Sequence, residues 1–413
     1  MARSKFLMAA VLGLCLFGLT ACTELYEKLQ ELPENLITGS SETVQGKESE
    51  SATEQIIEPQ VFWPESQGHL SWSYAREQLS EAEQCWYDDI YEMLIQQINE
   101  GDLDPTYINQ ISSDRIEDIF QCVLNDHPEI FYVTGYHYTQ YKEGSKVTRI
   151  TFAGDYTMDE QEIALRQQQI ENYVSACLSG LGEQATQYEK VKYVYEYLID
   201  RTEYNLEATE NQNICSVFVG GQSVCQGYAK AMQFLLNRLG MQCTLVTGIV
   251  ENGERHAWNL VSVDDRYYYV DVTWGDVSYQ VREQDAEVMS GDFPAVNYDY
   301  LCNTSLQLAK THTLDNVVPL PECTSMEANY YVMEGAYFTA YDQEQLNRLF
   351  KKGYDQGRED IALKCSDEQV YQEIFDKLIT EHGIFDLLKS GDGRVAYSEN
   401  QKLFSLTFWL VED

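Results

Sequence analysis

The sequence predicts an α+β fold, with a middle block of helices followed by strands and smaller α+β regions on either side. Two observations carry this expectation. Apolar residues recur at helical spacing behind N-terminal capping pairs. Strand-like runs are joined by short glycine-containing turns, and in the middle of the chain two or three of them follow two helical stretches.

The elements can be justified in order. Ser80 and Glu83 have capping-box spacing, Trp86, Ile90, Met93, Leu94 and Ile98 follow on one helical face, and Gly101 can close the helix. Residues 130–141 and 146–152 read as a Tyr-rich hairpin around Glu143-Gly144-Ser145. Thr157 and Glu160 form a second capping pair, with Ile163, Ile170, Val174, Cys177 and Leu178 behind it and Gly180 and Gly182 at its end. Thr186 and Glu189 cap a third helix with Val191, Val194 and Leu198 on its apolar face. Ala229, Met232, Leu236 and Leu239 mark a fourth, closed by Gly240. Strands are expected at 242–250, 255–263 and 266–273, the first two joined by Asn252-Gly253, a two-residue hairpin signal. Helices near 342–353 and 367–378 and strands at 394–397 and 403–411 complete the chain. The expected organisation is a leader over 1–21, a tether over 22–60, an N-terminal α+β region over 61–182, a core over 183–300 and a C-terminal α+β region over 301–413.

Composition bounds the function. Of 413 residues, 67 are acidic and 28 basic, a net charge of −39. Nucleic-acid binding draws on clustered Lys and Arg, so that charge argues against a nucleic-acid partner. The N-terminus points outside the cytoplasm. Arg3 and Lys5 precede an apolar run from Phe6 to Leu19, too short to span a bilayer comfortably, and Leu19-Thr20-Ala21-Cys22 resembles a bacterial lipobox. The expectation is cleavage before Cys22, lipidation of that cysteine and a body anchored to the cell membrane from the extracytoplasmic side. Loss of Arg3 and Lys5 moves the charge to −41. The stretch from Thr23 to Gln60 is rich in Glu, Ser, Thr and Gln and reads as a disordered acidic tether.

One constellation carries chemistry. Cys225 lies in Gly-Gln-Ser-Val-Cys-Gln-Gly-Tyr-Ala, directly before the fourth helix. A cysteine at a helix start faces unpaired N–H groups and the positive end of the dipole, which favour thiolate, and the same amides can serve an oxyanion. Gly227 is expected to leave room for a substrate carbonyl beside the sulfur. His256 follows the Asn-Gly turn in Arg-His-Ala-Trp-Asn, and Asp271 lies on the next strand in Val-Asp-Val-Thr-Trp. If Asp264-Asp265 form the turn, cross-strand partners have numbers summing to 529, and His256 is diagonal to Asp271 on one face, within side-chain reach at roughly 7–8 Å between backbones. A thiolate that attacks an amide carbonyl, an imidazole that moves the proton and a carboxylate that orients the imidazole form a known catalytic logic. Gln222 and Trp258 are candidates for oxyanion support or for the cleft wall.

The stretch from Cys225 to Trp274 resembles the transglutaminase-like superfamily, a branch of the papain-like cysteine enzymes, in its Val-Cys-x-Gly-Tyr-Ala, His-Ala-Trp-Asn and Val-Asp-x-Thr-Trp elements. Ser223 departs from the pattern by standing where the family usually has Gly. The resemblance covers about residues 185–280. It implies a Cys225 nucleophile, a His256 base and an orienting Asp271, a fold in which a cysteine-bearing helix packs on an antiparallel sheet, and a peptide or protein amide as substrate. Members include crosslinkers, peptidases and deglycosylating amidases, and some have lost catalysis, so hydrolysis and acyl transfer stay open. The alternatives are a non-catalytic peptide- or wall-binding module and an envelope scaffold.

No cofactor is expected. The other histidines, His69, His127, His137, His312 and His382, are scattered without metal-ligand spacing, so no metal site is expected, and Gly391-Asp392-Gly393 lacks the alternation of an EF-hand loop. Apart from Cys15, Cys22 and Cys225, eight cysteines remain, and no pairing can be assigned.

Overall fold

The computed structural model describes residues 72–276, 296–389 and 395–410. The leader, Cys22, the acidic stretch and the 391–393 turn lie outside the described residues.

The first block opens with α1 (Tyr74–Gln78) and α2 (Glu81–Ile95). The Ser80–Glu83 capping box is formed as its spacing predicts, and Trp86, Ile90, Met93 and Leu94 are buried. The helix ends at Ile95, before the expected close at Gly101: Gln97 takes a φ of 50° and Ile98 falls outside the helix. Gly101 instead opens β1 (Gly101–Asp102) against Phe152, where a Cβ would come within 2.8 Å of the Met93 sulfur. Next come α3 (Arg115–Asp126) and the hairpin of β2 (Val133–Glu143) and β3 (Lys146–Tyr156), in the sheet order β1-β3-β2. Helix α4 (Glu160–Ser179) is capped by Asp159, whose side chain accepts from the Glu162 N–H. The Thr157–Glu160 pair is therefore not the cap. Asp159 is at least as good an N-cap and stands nearer the apolar run.

The middle block begins with α5 (Gln187–Arg201), where Thr186 and Glu189 exchange both capping-box bonds. It continues through β4 (Glu203–Tyr204), α6 (Ile214–Phe218), β5 (Gln222–Ser223) and α7 (Cys225–Arg238). Helix α7 packs on β6 (Cys243–Val250) and β7 (Arg255–Val263), and β8 (Arg266–Val270) flanks β7. The β7–β8 register pairs Asn259 with Val270 and Val263 with Arg266, the expected sum of 529, and Asp264 and Asp265 both take positive φ, as a two-residue primed turn requires. The β6–β7 turn differs from expectation. Ile249 pairs with Arg255 and the Val250 N–H donates to the Glu254 carbonyl, so the loop has three residues, with Gly253 at φ 87°. Asn-Gly serves here as the end of a three-residue loop whose last position is left-handed. The third strand stops at Val270, and Asp271 is the N-cap of the short α8 (Val272–Gly275) rather than a strand residue.

The core sheet extends past residue 300. After α9 (Ser305–Leu308), β9 (His312–Leu314) pairs antiparallel with β6, giving the order β8-β7-β6-β9. Beyond it lie α10 (Tyr330–Met333), β10 (Tyr337–Phe338), α11 (Gln343–Asp355), β11 (Asp360–Cys365), α12 (Glu368–Phe375), β12 (Val395–Asn400) and β13 (Ser405–Leu410). Its sheet has the order β10-β11-β13-β12. The nine described cysteines are all unpaired. Among the described residues, no helix is long and apolar enough to cross a membrane.

Buried carboxylates tie the blocks together. Asp126, at the end of α3, accepts from the Ala75 and Arg76 N–H groups and from the Tyr87 hydroxyl, and burial pushes its carboxyl up to about 6. The Gln233 amide of α7 donates to the Asn125 carbonyl at 2.7 Å, joining the first block to the cysteine helix. Asp299 accepts from Lys364 Nζ at 2.9 Å, from the Tyr331 hydroxyl at 3.1 Å and from Ser405 Oγ at 2.6 Å. These bonds fasten the C-terminal sheet to the core. Lys364 is 3% exposed, so Asp299→Ala strands a buried ammonium and should cost about 3–5 kcal/mol of stability, read as a lower urea midpoint. A loss under about 1 kcal/mol would show that the pair does not hold the blocks together.

Candidate active site

Cys225 is the first residue of α7, and its N-cap, Val224, has no side chain that can cap the helix. Val224 therefore offers no side-chain acceptor to the N–H groups at the start of α7. Cys225 is partly exposed and packs against the buried cluster of Ala229, Leu245 and Ala257. The segment before it is held from below. Gln222 donates to Glu203 at 2.9 Å and accepts from Asn205 at 3.0 Å, so its amide joins β5 to the chain after α5. Ser223 is fully buried, with its hydroxyl 2.6 Å from that of Ser216 and 3.2 Å from the Asn211 carbonyl.

Gly227 does not open space for a substrate. A Cβ there would meet Ser223 Oγ at 2.0 Å, Ser216 Oγ at 2.7 Å and the Asn211 carbonyl at 2.9 Å. Its role is to let this hydroxyl cluster pack against the first turn of α7. The departure at Ser223 is thus accommodated by the glycine one turn later.

His256 and Asp271 meet as the register predicts. His256 Nε2 lies 2.7 Å from Asp271 Oδ2, both side chains buried. Nδ1 is the ring nitrogen left for Cys225, which acts on His256 through charge and through a hydrogen bond. Burial alone would pull the imidazole down. The charge of Asp271, that of Cys225 and the two hydrogen bonds outweigh it and raise His256 to about 10. Burial would push the Asp271 carboxyl up, but His256 and the hydrogen bond from His312 hold it well below the usual carboxylate range.

Trp258 is fully buried and stands two residues from His256 on the same sheet face, with ring centroids 6.0 Å apart. Its ring lies over Gly248, where a Cβ would approach it to 2.5 Å. It is a wall behind His256, not a donor to the cleft.

His312 is the residue that sequence reasoning missed. It sits on β9 opposite Val250, on the same face as Gly248, His256 and Trp258. Its Nε2 lies 3.0 Å from Asp271 Oδ2, the atom that also accepts from His256. Nothing around it announces this: it lies 41 residues beyond Asp271, on a strand of three residues.

His256, Asp271 and His312 present three metal-type ligand atoms within 4.8 Å of one another. Ligands of a tetrahedral zinc bound at 2.0–2.1 Å stand about 3.3 Å apart. The nitrogen–oxygen separations of 2.7 and 3.0 Å are shorter and fit direct hydrogen bonds.

Residues 175–272 match the transglutaminase-like superfamily, a span that overlaps the stretch expected from the motifs and holds Cys225, His256 and Asp271. The chain is 27% identical over 111 residues to kyphoscoliosis peptidase of Mus musculus and of Homo sapiens, covering 23% of this chain and 17% of each relative. It thus spans under a fifth of the length of these curated relatives. A crystal structure of a TGase aligns over 39% of this chain and 46% of its own, at 14% identity and a TM-score of 0.25.

The pair's contribution to stability has a defined pH window. The raised His256 value makes it complete below about 6.5 and lost as pH rises through about 10. The lowered Asp271 value makes it complete above about 3.9 and lost on further acidification. The gap in unfolding free energy between wild type and Asp271→Ala should therefore be widest between about pH 4 and 6.5, on the order of 3–5 kcal/mol, and shrink toward pH 10. Urea titrations at stepped pH measure it, and a gap unchanged from pH 6 to 10 would contradict the ion pair.

Proposed function

We propose that the protein is a thiol enzyme acting on amide or peptide bonds through a Cys225 thioester. The observation that carries this reading is the line from the helix-start thiol of Cys225 through His256 to the buried Asp271, in a segment that matches the transglutaminase-like superfamily. His256 takes the thiol proton on Nδ1 while its Nε2–H stays on Asp271. The Cys225 sulfur adds to the amide carbonyl, and the first N–H groups of α7 face the oxygen as it gains charge. The tetrahedral species collapses: the C–N bond breaks, the imidazolium proton passes to the leaving amine, and a thioester remains. Water or a second amine then adds to the thioester, giving hydrolysis or acyl transfer. The leader and Leu-Thr-Ala-Cys22 support a lipid-anchored, extracytoplasmic site for this chemistry, and a peptide or protein supplies the amide.

Two measurements test this reading. Iodoacetamide should alkylate the native protein first at Cys225, and His256→Ala should slow that reaction by at least tenfold at pH 7. Equal rates would remove His256 from the mechanism. A peptide library incubated with and without a primary amine, then read by mass spectrometry, separates the outcomes. Amine adducts mean transfer and new termini mean hydrolysis, each absent with Cys225→Ala. Products that persist with Cys225→Ala would sink the proposal.

A further inference from the structure

The Asp271 carboxylate is filled by four donors. Oδ1 accepts from the Thr273 N–H at 3.0 Å and the Trp274 N–H at 3.1 Å. Oδ2 accepts from His256 at 2.7 Å and His312 at 3.0 Å. An ionised carboxylate offers about four lone-pair sites, so its capacity is used up. The backbone is anchored as well, by the Asp271 N–H on the Tyr300 carbonyl. With one oxygen fixed by two main-chain donors, the carboxylate does not depend on His312 to keep its place.

The proton on His312 is assigned by its neighbours. Oδ2 of the carboxylate accepts only, so Nε2 of His312 carries a hydrogen. Nδ1 lies 2.8 Å from Thr311 Oγ1 and, in the neutral ring, accepts the hydroxyl proton in preference to the Leu308 carbonyl, which is farther at 3.4 Å. Burial lowers the tendency of His312 to take a second proton, against the opposing pull of Asp271. The ring is enclosed by Trp274 at 4.7 Å, Trp258 at 4.9 Å and Tyr300 at 5.8 Å between centroids. Besides Asp271 and His256, Glu251 acts on His312, Cys225 on His256, and Tyr195 and Tyr300 face Asp271.

We propose that His312 is a positioning residue acting through Asp271: by donating into the same carboxylate oxygen as His256, it limits how strongly that carboxylate stabilises the His256 imidazolium. The inference rests on the thiol–imidazole reading above. His256 has to accept a proton and then release it to a leaving amine. A dry carboxylate with His256 as the sole partner of Oδ2 would favour the charged ring and slow the release. A second N–H on that oxygen shares its negative charge and moderates the hold.

The test is the pH dependence of Cys225 alkylation by iodoacetate in the full chain. The reagent is anionic and reacts faster while His256 is protonated, so the falling limb at high pH reports loss of that proton. His312→Ala should move the limb up by about one pH unit, the size of one hydrogen bond to a charged group. His312→Gln, which restores an N–H, should bring it back toward wild type. A limb that stays in place in a folded His312→Ala protein overturns the proposal and leaves His312 a packing residue. Should His312→Ala not fold, nitrogen-15 spectra of wild-type histidines decide. His312 should hold the neutral Nε2–H form from pH 7 to 9, and a Nδ1–H form or a charged ring there overturns the proposal. Wild-type alkylation independent of His256 would instead defeat the thiol–imidazole reading, while the spectra still report on His312.

Discussion

The site depends on one carboxylate kept ionised in a dry place. Asp271 is buried, and desolvation alone would make it a neutral acid. Two main-chain N–H groups and two imidazoles hold its charge instead. These donors come from three parts of the chain: β7, β9 and the start of α8. The sheet order β8-β7-β6-β9 brings them together, because it sets His256 and His312 on one face with β6 between them. Gly248 on β6 lacks the side chain that would fill this gap, and the Trp258 ring occupies it. A larger residue at 248 would press on the Thr313 carbonyl of β9 at 2.2 Å and on that ring at 2.5 Å, and so disturb both the pairing that carries His312 and the wall beside Asp271.

The thiol is fixed by a different set of constraints. Helix α7 is anchored at Tyr228, whose hydroxyl donates to the Thr202 carbonyl at 2.7 Å or meets Asp276 at 3.0 Å, and at Gln233 on Asn125. The Ser216–Ser223 hydroxyl pair seats the strand before Cys225, and Gly227 lets the helix lie directly on it. The sulfur is therefore carried on a rigid element, while its partners are carried on the sheet. Packing of α7 against β6 and β7 sets the separation of Cys225 and His256, so core substitutions in that layer should change that geometry as well as stability.

The parts of this site that could be read from sequence are those with local signals. Cys225, His256 and Asp271 each stand in a distinctive run of neighbours, and the two-residue Asp264-Asp265 turn made the β7–β8 register a matter of arithmetic. Where a local signal had a competitor, it misled: Asp159 outcompetes Thr157 as a cap, and Asn252-Gly253 closes a three-residue loop. The residues around Gly227 suggest room for a ligand, because sequence cannot show that Ser216, Asn211 and Ser223 converge on it. His312 carries no signal at all. Its position follows from a three-residue strand joining an existing sheet, and that pairing is a property of the assembled core rather than of the residues around it.

The acidic composition gains a structural meaning from its buried members. Asp126, Asp271 and Asp299 each gather donors from segments distant in the chain. They differ in what neutralises them. Asp126 is bonded to main-chain N–H groups and a phenol, with no cation among those donors, and its carboxyl is pushed up to about 6. Asp299 is bonded to the Lys364 amine of β11, which ties the C-terminal sheet to the core. Asp271 faces imidazoles, whose charge can come and go. The same residue type thus meets main-chain amides and a phenol, an amine or two imidazoles, and the difference lies wholly in the donor it meets. A net charge of −39 says nothing about which aspartate does which, because a count takes no account of burial, and water screens exposed acids but not these three.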